Sequence, residues 1–152
     1  MGTGYYRAVM HVERIFAVQR PIDEVFDYLA DFTHTEEWDP GTVSTTRRSG
    51  DGGLGTTYDN VSELLGRRVE LVYSTVTHAA PRRVRFRGRQ RWSTTLDDLA
   101  LRDLGDGRTE IQYRADFSFG FPISLAAPFV VRPKLGDLAD ETVASLRRAL
   151  ER

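Results

Sequence analysis

The sequence predicts an α+β fold in which a curved, seven-stranded antiparallel sheet wraps around a long C-terminal helix, with two short helices between the first and second strands. Three observations predict this fold. A β-like segment at 9–18 precedes an amphipathic, helix-like segment at 21–30. A long amphipathic segment at 133–150 closes the chain. Between them lie six β-like segments joined by short turns, and strands joined in this way pair antiparallel.

The segment after the first strand predicts the two short helices. Pro21 suits a first helical turn, where its missing N–H would find no partner in any case. Apolar side chains recur at helical spacing along 22–29 and predict one buried stripe. A second, shorter helix is expected at about 33–38. Pro40 disfavours helical backbone in the residue before it and Gly41 permits a turn, so a strand should follow.

The remaining strands are expected at about 42–49, 55–64, 67–78, 82–92, 94–104 and 109–119. Arginine occupies every second position from Arg83 to Arg91, which is the clearest period-two pattern in the chain. A basic surface for nucleic acid or acidic membrane would show such a stripe. However, the net charge is −1 and no aromatic residues share the arginine face. A solvated outer face that pairs with acidic neighbours is therefore favoured, opposite a mostly apolar inner face.

The last strand and the last helix both present apolar faces. Tyr113 and Phe117 share the apolar face of the strand at 109–119, and Leu135, Leu138 and Thr142 lie on the buried stripe of the helix. A long amphipathic helix across a curved sheet encloses either a packed core or a cavity. The residue pattern alone leaves both outcomes open.

Composition excludes several classes of protein. The chain has no cysteine, which excludes a disulfide framework, a thiolate metal site and a cysteine nucleophile. Its three histidines are widely separated, and no phosphate-binding glycine motif occurs, so no metal or other cofactor is expected. The first residues lack the apolar run of a signal peptide, and no segment is apolar enough for stable membrane insertion, which favours the cytoplasm. With Lys134 as its only lysine, the arginine-rich composition is typical of a GC-rich, bacterial genome.

Asp97 and Asp98 are the candidates for acid–base chemistry. Neighbouring strand residues face opposite ways, so one carboxyl could point into an apolar interior, where burial would raise its pKa. The favoured interpretation is that both are solvated near the end of a strand. No nucleophile motif is present, and no residue is assigned a catalytic role.

Four motifs occur in order along the chain, namely Pro21-x-x-x-Val25-Phe26-x-Tyr28-Leu29-x-Asp31, Glu37-Trp38-Asp39-Pro40, Gly53-x-Gly55-Thr56-x-Tyr58 and Gly105-x-Gly107-x-Thr109. In this order and spacing the sequence resembles the START-like superfamily, also called SRPBCC or Bet v 1-like, and within it the polyketide cyclase/dehydrase group. The resemblance implies a single helix-grip domain over 1–152, with a core at about 9–151, and a cavity between sheet and C-terminal helix. It also implies a hydrophobic ligand such as a lipid, sterol or polyketide.

Alternation along the strands, together with the place of the cavity in the family, predicts which side chains bind the ligand. They are Trp38, Tyr58, Tyr73, Phe86, Gln90, Trp92, Tyr113, Phe117, Leu135, Leu138 and Thr142. For each tyrosine, core packing is the alternative. The leading hypothesis is binding or transport of a small hydrophobic molecule by a monomer or weak homodimer. A polyketide cyclase or dehydrase is the alternative, and a protein-interaction module is a third hypothesis.

Overall fold

A seven-stranded antiparallel sheet forms the framework of the computed structural model, which describes residues 7–64 and 66–152. The strands are β1 (Ala8–Val18), β2 (Thr42–Ser49), β3 (Thr57–Leu64), β4 (Arg67–Ala79), β5 (Arg83–Gln90), β6 (Ser93–Gly105) and β7 (Arg108–Phe119). Strands β2 to β7 form the expected meander, and β1 pairs with β7 at one edge. The sheet and the helices described next confirm the helix-grip α+β fold.

The helices lie where the sequence places them, with two additions. Helix α1 (Ile22–Ala30) leads through a 3-10 turn (Phe32–His34) into α2 (Thr35–Trp38), so the second predicted helix is divided into two pieces. The long helix, α4, spans Arg132–Leu150. Before it, a second 3-10 turn (Ile123–Leu125) and a short helix, α3 (Ala127–Val130), occupy a segment in which the sequence predicts no element, because it carries no clear apolar stripe.

The inner face of β1 is set by its even-numbered residues. Met10, Phe16 and Val18 are buried against the core. Arg14 lies in the same row, and it reaches α4, where its Nε donates to Asp140 Oδ1 at 3.0 Å and one terminal nitrogen donates to the Gly136 carbonyl at 3.3 Å. An inward arginine that interrupts the apolar alternation therefore ties the long helix to the edge strand.

Aromatic side chains fill one end of the space between sheet and helices. We call this set, which comprises Phe32, Trp38, Tyr58 and Phe86, the aromatic cluster. The 3-10 turn places the Phe32 ring 4.5 Å from the ring of Phe86 and 5.6 Å from that of Tyr58, centroid to centroid. All four side chains are almost completely buried. Contacts of this kind stabilise through area burial and ring geometry together.

A buried polar network attaches α2 to the neighbouring strands. Thr35 Oγ1 donates to the Phe32 carbonyl at 2.7 Å and shares a 2.8 Å hydrogen bond with Thr45 Oγ1. The Asn60 side-chain amide donates to the same Thr45 oxygen, and Ser62 Oγ donates to Asn60 Oδ1 at 2.6 Å. Because each of these groups has a partner, the short helix is held in one position over the sheet.

None of the helices in the described part of the chain is long and apolar enough to span a membrane.

Candidate ligand-binding cavity

A cavity of about 490 Å³ lies between the inner face of the sheet and α4. Six of the side chains that the sequence predicts as ligand contacts line it, namely Tyr73, Tyr113, Phe117, Leu135, Leu138 and Thr142. Strands β4 and β7 and the long helix supply them, so this part of the wall depends on the sheet being curved over α4. The volume is within the range of small-molecule sites, which is roughly 300–1,000 Å³.

A glycine in β5 lets one tyrosine reach across the sheet. A Cβ at Gly88 would lie 2.5 Å from two ring atoms of Tyr73 and 2.7 Å from Thr95 Oγ1, so the ring lies directly over the glycine backbone. The Tyr73 hydroxyl, from β4, accepts a 3.1 Å hydrogen bond from Thr95 on β6. Gly88 is required here because its missing side chain makes the space for the ring.

Three of the predicted contacts lie in the aromatic cluster and do not line the cavity. Tyr58 and Phe86 point inward, as the alternation predicts for the strand residues, but toward Phe32, and the Trp38 ring packs edge-on against Tyr113. Phe32, which the sequence analysis did not assign to the interior of the sheet, occupies the space in front of Tyr58 and Phe86. Facing the interior is therefore not sufficient for contact with the cavity.

Two further predicted contacts, Gln90 and Trp92, lie at the β5–β6 turn, away from the cavity. Strand β5 ends at Gln90, which pairs with Ser93, so Arg91 and Trp92 form a two-residue turn and the alternation stops before the tryptophan. Trp92 is 39% exposed and stacks beneath the Arg91 guanidinium. The Gln90 side-chain oxygen accepts a 2.6 Å hydrogen bond from the Trp92 backbone N–H, which gives this amide its polar partner.

Asp97 and Asp98 lie on opposite faces of β6. Asp98 accepts two hydrogen bonds from Arg83 on the outer face, one of them 2.9 Å long. Asp97 is only 8% exposed and faces the cavity, flanked by Phe86 on β5 and Ala115 on β7. The expectation that both are solvated near a strand end is wrong for Asp97, because paired strands cover it on both sides.

Burial dominates the electrostatics of Asp97. Among the described residues, no side chain or backbone group donates a hydrogen bond to its carboxyl group. Loss of solvation raises the pKa of Asp97 to about 8, and the negative charges of Asp39 and Asp116 contribute in the same direction. Near neutral pH this carboxyl can therefore both hold and release a proton.

Asp39 and two tyrosines complete the polar part of the wall. Asp39 accepts hydrogen bonds of 3.0 Å from the Gly41 backbone N–H and from Thr42 Oγ1, yet burial still raises its pKa. Burial, followed by the charge of Asp97, raises the pKa of both Tyr73 and Tyr113. Both phenols are therefore neutral hydrogen-bonding groups at physiological pH.

No group of three histidine, aspartate or glutamate side chains within residues 7–64 and 66–152 is arranged to hold a metal ion.

A family sequence model described as "Polyketide cyclase / dehydrase and lipid transport" matches residues 9–151. The chain belongs to this family. The match confirms the resemblance to the START-like superfamily that the four motifs indicate. No curated protein matches the sequence significantly.

Solved structures of the same fold share little sequence with this chain. The Zhui aromatase/cyclase from Streptomyces is 18% identical, with a TM-score of 0.69 over 93% of this chain and 96% of that one. A START superfamily protein from Mycobacterium smegmatis is also 18% identical, with a TM-score of 0.67 over 97% and 95% of the two chains. Major latex-like protein 151 from Panax ginseng is 10% identical, with a TM-score of 0.70 over 95% and 99%. At these identities the likeness establishes the fold alone.

The family motif at 37–40 joins the aromatic cluster to the cavity. Trp38 is buried in the cluster, whereas Asp39, Pro40 and Gly41 line the cavity. Only the tryptophan of this motif is expected at the site from the sequence. Thr95 was not expected at the site either, although Thr95 and Asp97 share the parity of Leu99 and Leu101, which are buried on the same face of β6. That shared parity is the signal that could have identified both polar residues.

Proposed function

We propose that this protein binds a small, largely hydrophobic molecule, such as a lipid, sterol or polyketide, in the cavity between the sheet and α4, and carries or stores it. The observation that carries the proposal is the cavity itself, which has apolar walls from four strands and a few convergent polar groups. Such a wall gains affinity by removing ligand carbon from water, at about 25 cal/mol per Å². Its polar groups then orient the bound molecule.

The proposal is tested by narrowing the cavity. Leu138 lies on α4 at the cavity and is half-buried, so Leu138→Trp adds bulk that can enter the space. Ala144→Trp adds a tryptophan to the exposed side of the same helix and is the matched control. Native mass spectrometry of freshly purified protein should show a copurified apolar molecule. A neutral fluorescent dye that enters the cavity should bind about tenfold more weakly to Leu138→Trp than to the wild type. Its affinity for Ala144→Trp should equal that of the wild type.

Two results would contradict this function. One is the absence of both a copurified molecule and dye binding in the wild type. The other is equal dye affinity in Leu138→Trp and Ala144→Trp, which would place the dye outside the cavity.

A polyketide cyclase or dehydrase is the second candidate, and Asp97 favours it. Ring closure by an aldol-type reaction requires removal of a proton from carbon and delivery of a proton to a carbonyl oxygen, and a carboxyl group with a pKa near neutral can do both. The structural neighbour from Streptomyces is named an aromatase/cyclase. Poly-β-ketone mimics should then be converted by the wild type, whereas Asp97→Asn should bind them without forming product.

Tyr73→Phe and Gln90→Leu complete that experiment. Tyr73 lines the cavity and Gln90 does not, so Gln90→Leu serves as the control for loss of a polar group elsewhere. A cyclised product that disappears in Asp97→Asn alone would establish the enzyme in place of the carrier. Binding without conversion in every variant would leave the carrier as the function.

We further propose that the domain, which spans the whole chain, works as a monomer or weak homodimer in a bacterial cytoplasm, without a nucleic-acid partner and without stable membrane insertion. The net charge of −1 supports the absence of a nucleic-acid partner, because proteins that bind nucleic acid usually carry excess positive charge. Size-exclusion chromatography with light scattering at several concentrations tests the oligomeric state.

A further inference from the structure

Acidic side chains dominate the charged part of the cavity wall. Five carboxylates line it, from Asp39, Glu63, Asp97, Asp137 and Glu141. The only basic side chain among the described lining residues is Lys134. Glu63, Asp137 and Glu141 are exposed at the rim, whereas Asp97 lies inside. A cleft with this balance has a negative potential, which attracts cations and repels anionic molecules such as fatty acids.

Asp97 is the group inside this cavity that lacks a partner. Its side chain is more than nine-tenths buried, and none of the described residues donates a hydrogen bond to it. Thr95, on the same face of β6, donates to Tyr73 instead, and the Tyr73 and Tyr113 hydroxyls of the same wall make no hydrogen bond to Asp97. A buried polar group without a partner costs free energy, so a ligand that supplies a donor would gain affinity.

From these two observations we propose that the ligand of this cavity carries a basic amine on an apolar body, and that its ammonium group pairs with the carboxylate of Asp97. This inference rests on the proposed function and names the chemical class of its ligand. A charge-assisted hydrogen bond in a water-poor site is stronger than a bond between neutral groups. The rim carboxylates guide the cation inward, and the apolar walls bury the rest of the molecule.

Other ligand classes fit the charges of this wall less well. A fatty acid would bring a further carboxylate close to Asp97 and Asp39, and like charges at short range are destabilising. A ketone could accept a hydrogen bond from protonated Asp97, but it would gain nothing from the three rim carboxylates. An ammonium group interacts favourably with both the inner and the rim carboxylates.

Binding of the amine is coupled to proton release. In the free protein Asp97 is partly protonated near pH 7, because burial raises its pKa to about 8. An alkylammonium ion that pairs with its carboxylate expels that proton to solvent, so amine affinity rises with pH until Asp97 is ionised. Other titratable groups face the same space. They are Asp39 in the α2–β2 loop, Tyr73 on β4, Tyr113 on β7, and Lys134, Asp137 and Glu141 on α4.

On the outer side of β7, Asp116 accepts a hydrogen bond from Arg114. The pKa of Asp97 lies close to neutral, so Asp97 can supply the proton released near pH 7.

The test compares decylamine, decanol and decanoate, which share one alkyl chain, by isothermal titration calorimetry below their micelle concentrations. In the wild type, decylamine should bind about tenfold or more tightly than decanol, and decanoate should bind weakest. In Asp97→Asn, the amine and the alcohol should bind within about twofold of each other, with decanol unchanged. Asp98→Asn, which alters the neighbouring carboxylate on the outer face, should behave as the wild type. Titration in phosphate and in Tris should show proton release for the amine only.

The outcomes separate this inference from the function on which it rests. Equal binding of decanol and decylamine by the wild type, or tightest binding of decanoate, overturns the amine and leaves the hydrophobic cavity in place. A preference for amine that survives in Asp97→Asn also overturns it. If none of the three probes binds and the neutral dye does not bind either, the proposed function itself fails. The wild-type comparison requires no variant to fold.

Discussion

The two ends of the interior are built from the same strands, yet one is filled and the other is hollow. On β5, Phe86 is completely buried in the aromatic cluster, whereas two residues later Gly88 lies under the ring of a cavity tyrosine. The difference comes from the helical side. The 3-10 turn after α1 delivers Phe32 to one end, while α4 presents Leu138 and Thr142 to the other and leaves a space. The strands set which residues face inward, and the helices decide whether they meet protein or ligand.

The two ends also differ in how their polar groups are satisfied. Next to the aromatic cluster, Thr35, Thr45 and Asn60 bond to one another and to backbone, whereas the Trp38 N–H and the Thr75 hydroxyl are enclosed by protein without a partner among the described residues. At the cavity, Asp97 has no donor among the described residues. A satisfied buried network holds a structure in one arrangement, whereas an unsatisfied group in a cavity is available to a ligand. The comparison therefore predicts that substitutions in the cluster alter stability, and that substitutions at the cavity alter binding and pH dependence.

The largest effect is expected from Trp38→Ala in the aromatic cluster. Trp38 is buried and packs edge-on against Tyr113, with ring centroids 6.3 Å apart. Removal of so large a buried side chain should cost about 3–5 kcal/mol of unfolding free energy. Urea denaturation measures the loss. At temperatures where the variant stays folded, dye binding in the cavity should persist.

Trp38→Phe sharpens this prediction. The Trp38 indole N–H is buried and has no acceptor among the described residues. Phenylalanine removes this unpaired donor while it keeps most of the ring, so the net cost should stay below about 2 kcal/mol. Unchanged stability in Trp38→Ala together with loss of binding would place the tryptophan at the ligand instead of in the core.

A comparable effect at high pH, which vanishes in acid, is expected from Asp97→Asn in the free protein. The folded pKa of Asp97 is about 8, above its unfolded value of about 3.9, so the folded state keeps this proton over the interval in which the unfolded state has lost it. This group therefore makes the wild type less stable as pH rises between those values, by up to about 1.4 kcal/mol per pH unit.

The asparagine variant should escape this loss. Below about pH 4 it should match the wild type, and at pH 8 it should be more stable. Denaturation of both proteins at a series of pH values checks this. A stability difference that does not change with pH would show that Asp97 is ionised and solvated in the folded state.

Gly88→Ala tests how the two ends of the interior are separated along β5. The added methyl group would lie 2.5 Å from the Tyr73 ring, so the ring must move and the bond from Thr95 should be lost. We expect a cost of about 1–3 kcal/mol and altered ligand affinity. In a Tyr73→Ala background the same substitution should cost less, because the clashing ring is absent and only the contact with the Thr95 hydroxyl, at 2.7 Å, remains. Additive costs in the double-mutant cycle would contradict this arrangement.

Most of the fold could be predicted from the sequence, because strand alternation and helix periodicity are local properties. The alternating arginines of β5 predicted which face of that strand is exposed and which faces the interior, and the apolar stripe of α4 predicted the long helix. The pairing of β1 with β7 involves residues about a hundred positions apart, and no local pattern specifies it. Trp92 was assigned to a strand because alternation continues through the turn in sequence although the chain reverses there.

The site was less predictable than the fold because contact with a cavity depends on what lies opposite each residue. Tyr58 and Tyr73 face inward on adjacent strands, but only Tyr73 lines the cavity. Phe32 packs against both rings, at 5.6 Å and 4.4 Å, and its position depends on the tertiary placement of a three-residue turn. In the same way, the burial of Asp97 depends on neighbours supplied by β5 and β7, which the sequence of β6 alone does not contain.

The smallest effect is expected from Asp98→Asn. This variant tests whether Asp97 and Asp98 on β6 differ because one is buried and the other is not, since both are aspartates. Asp98 is adjacent to Asp97 but lies on the outer face, where it pairs with the half-exposed Arg83. An ion pair screened by solvent contributes about 0.2–1 kcal/mol, so the variant should lose no more than that. The loss should shrink as salt is added. Ligand affinity should not change, because the outer face does not contact the cavity. If Asp98→Asn weakened amine binding as much as Asp97→Asn, a general reduction in negative charge would explain both results, and a specific contact at Asp97 would be excluded.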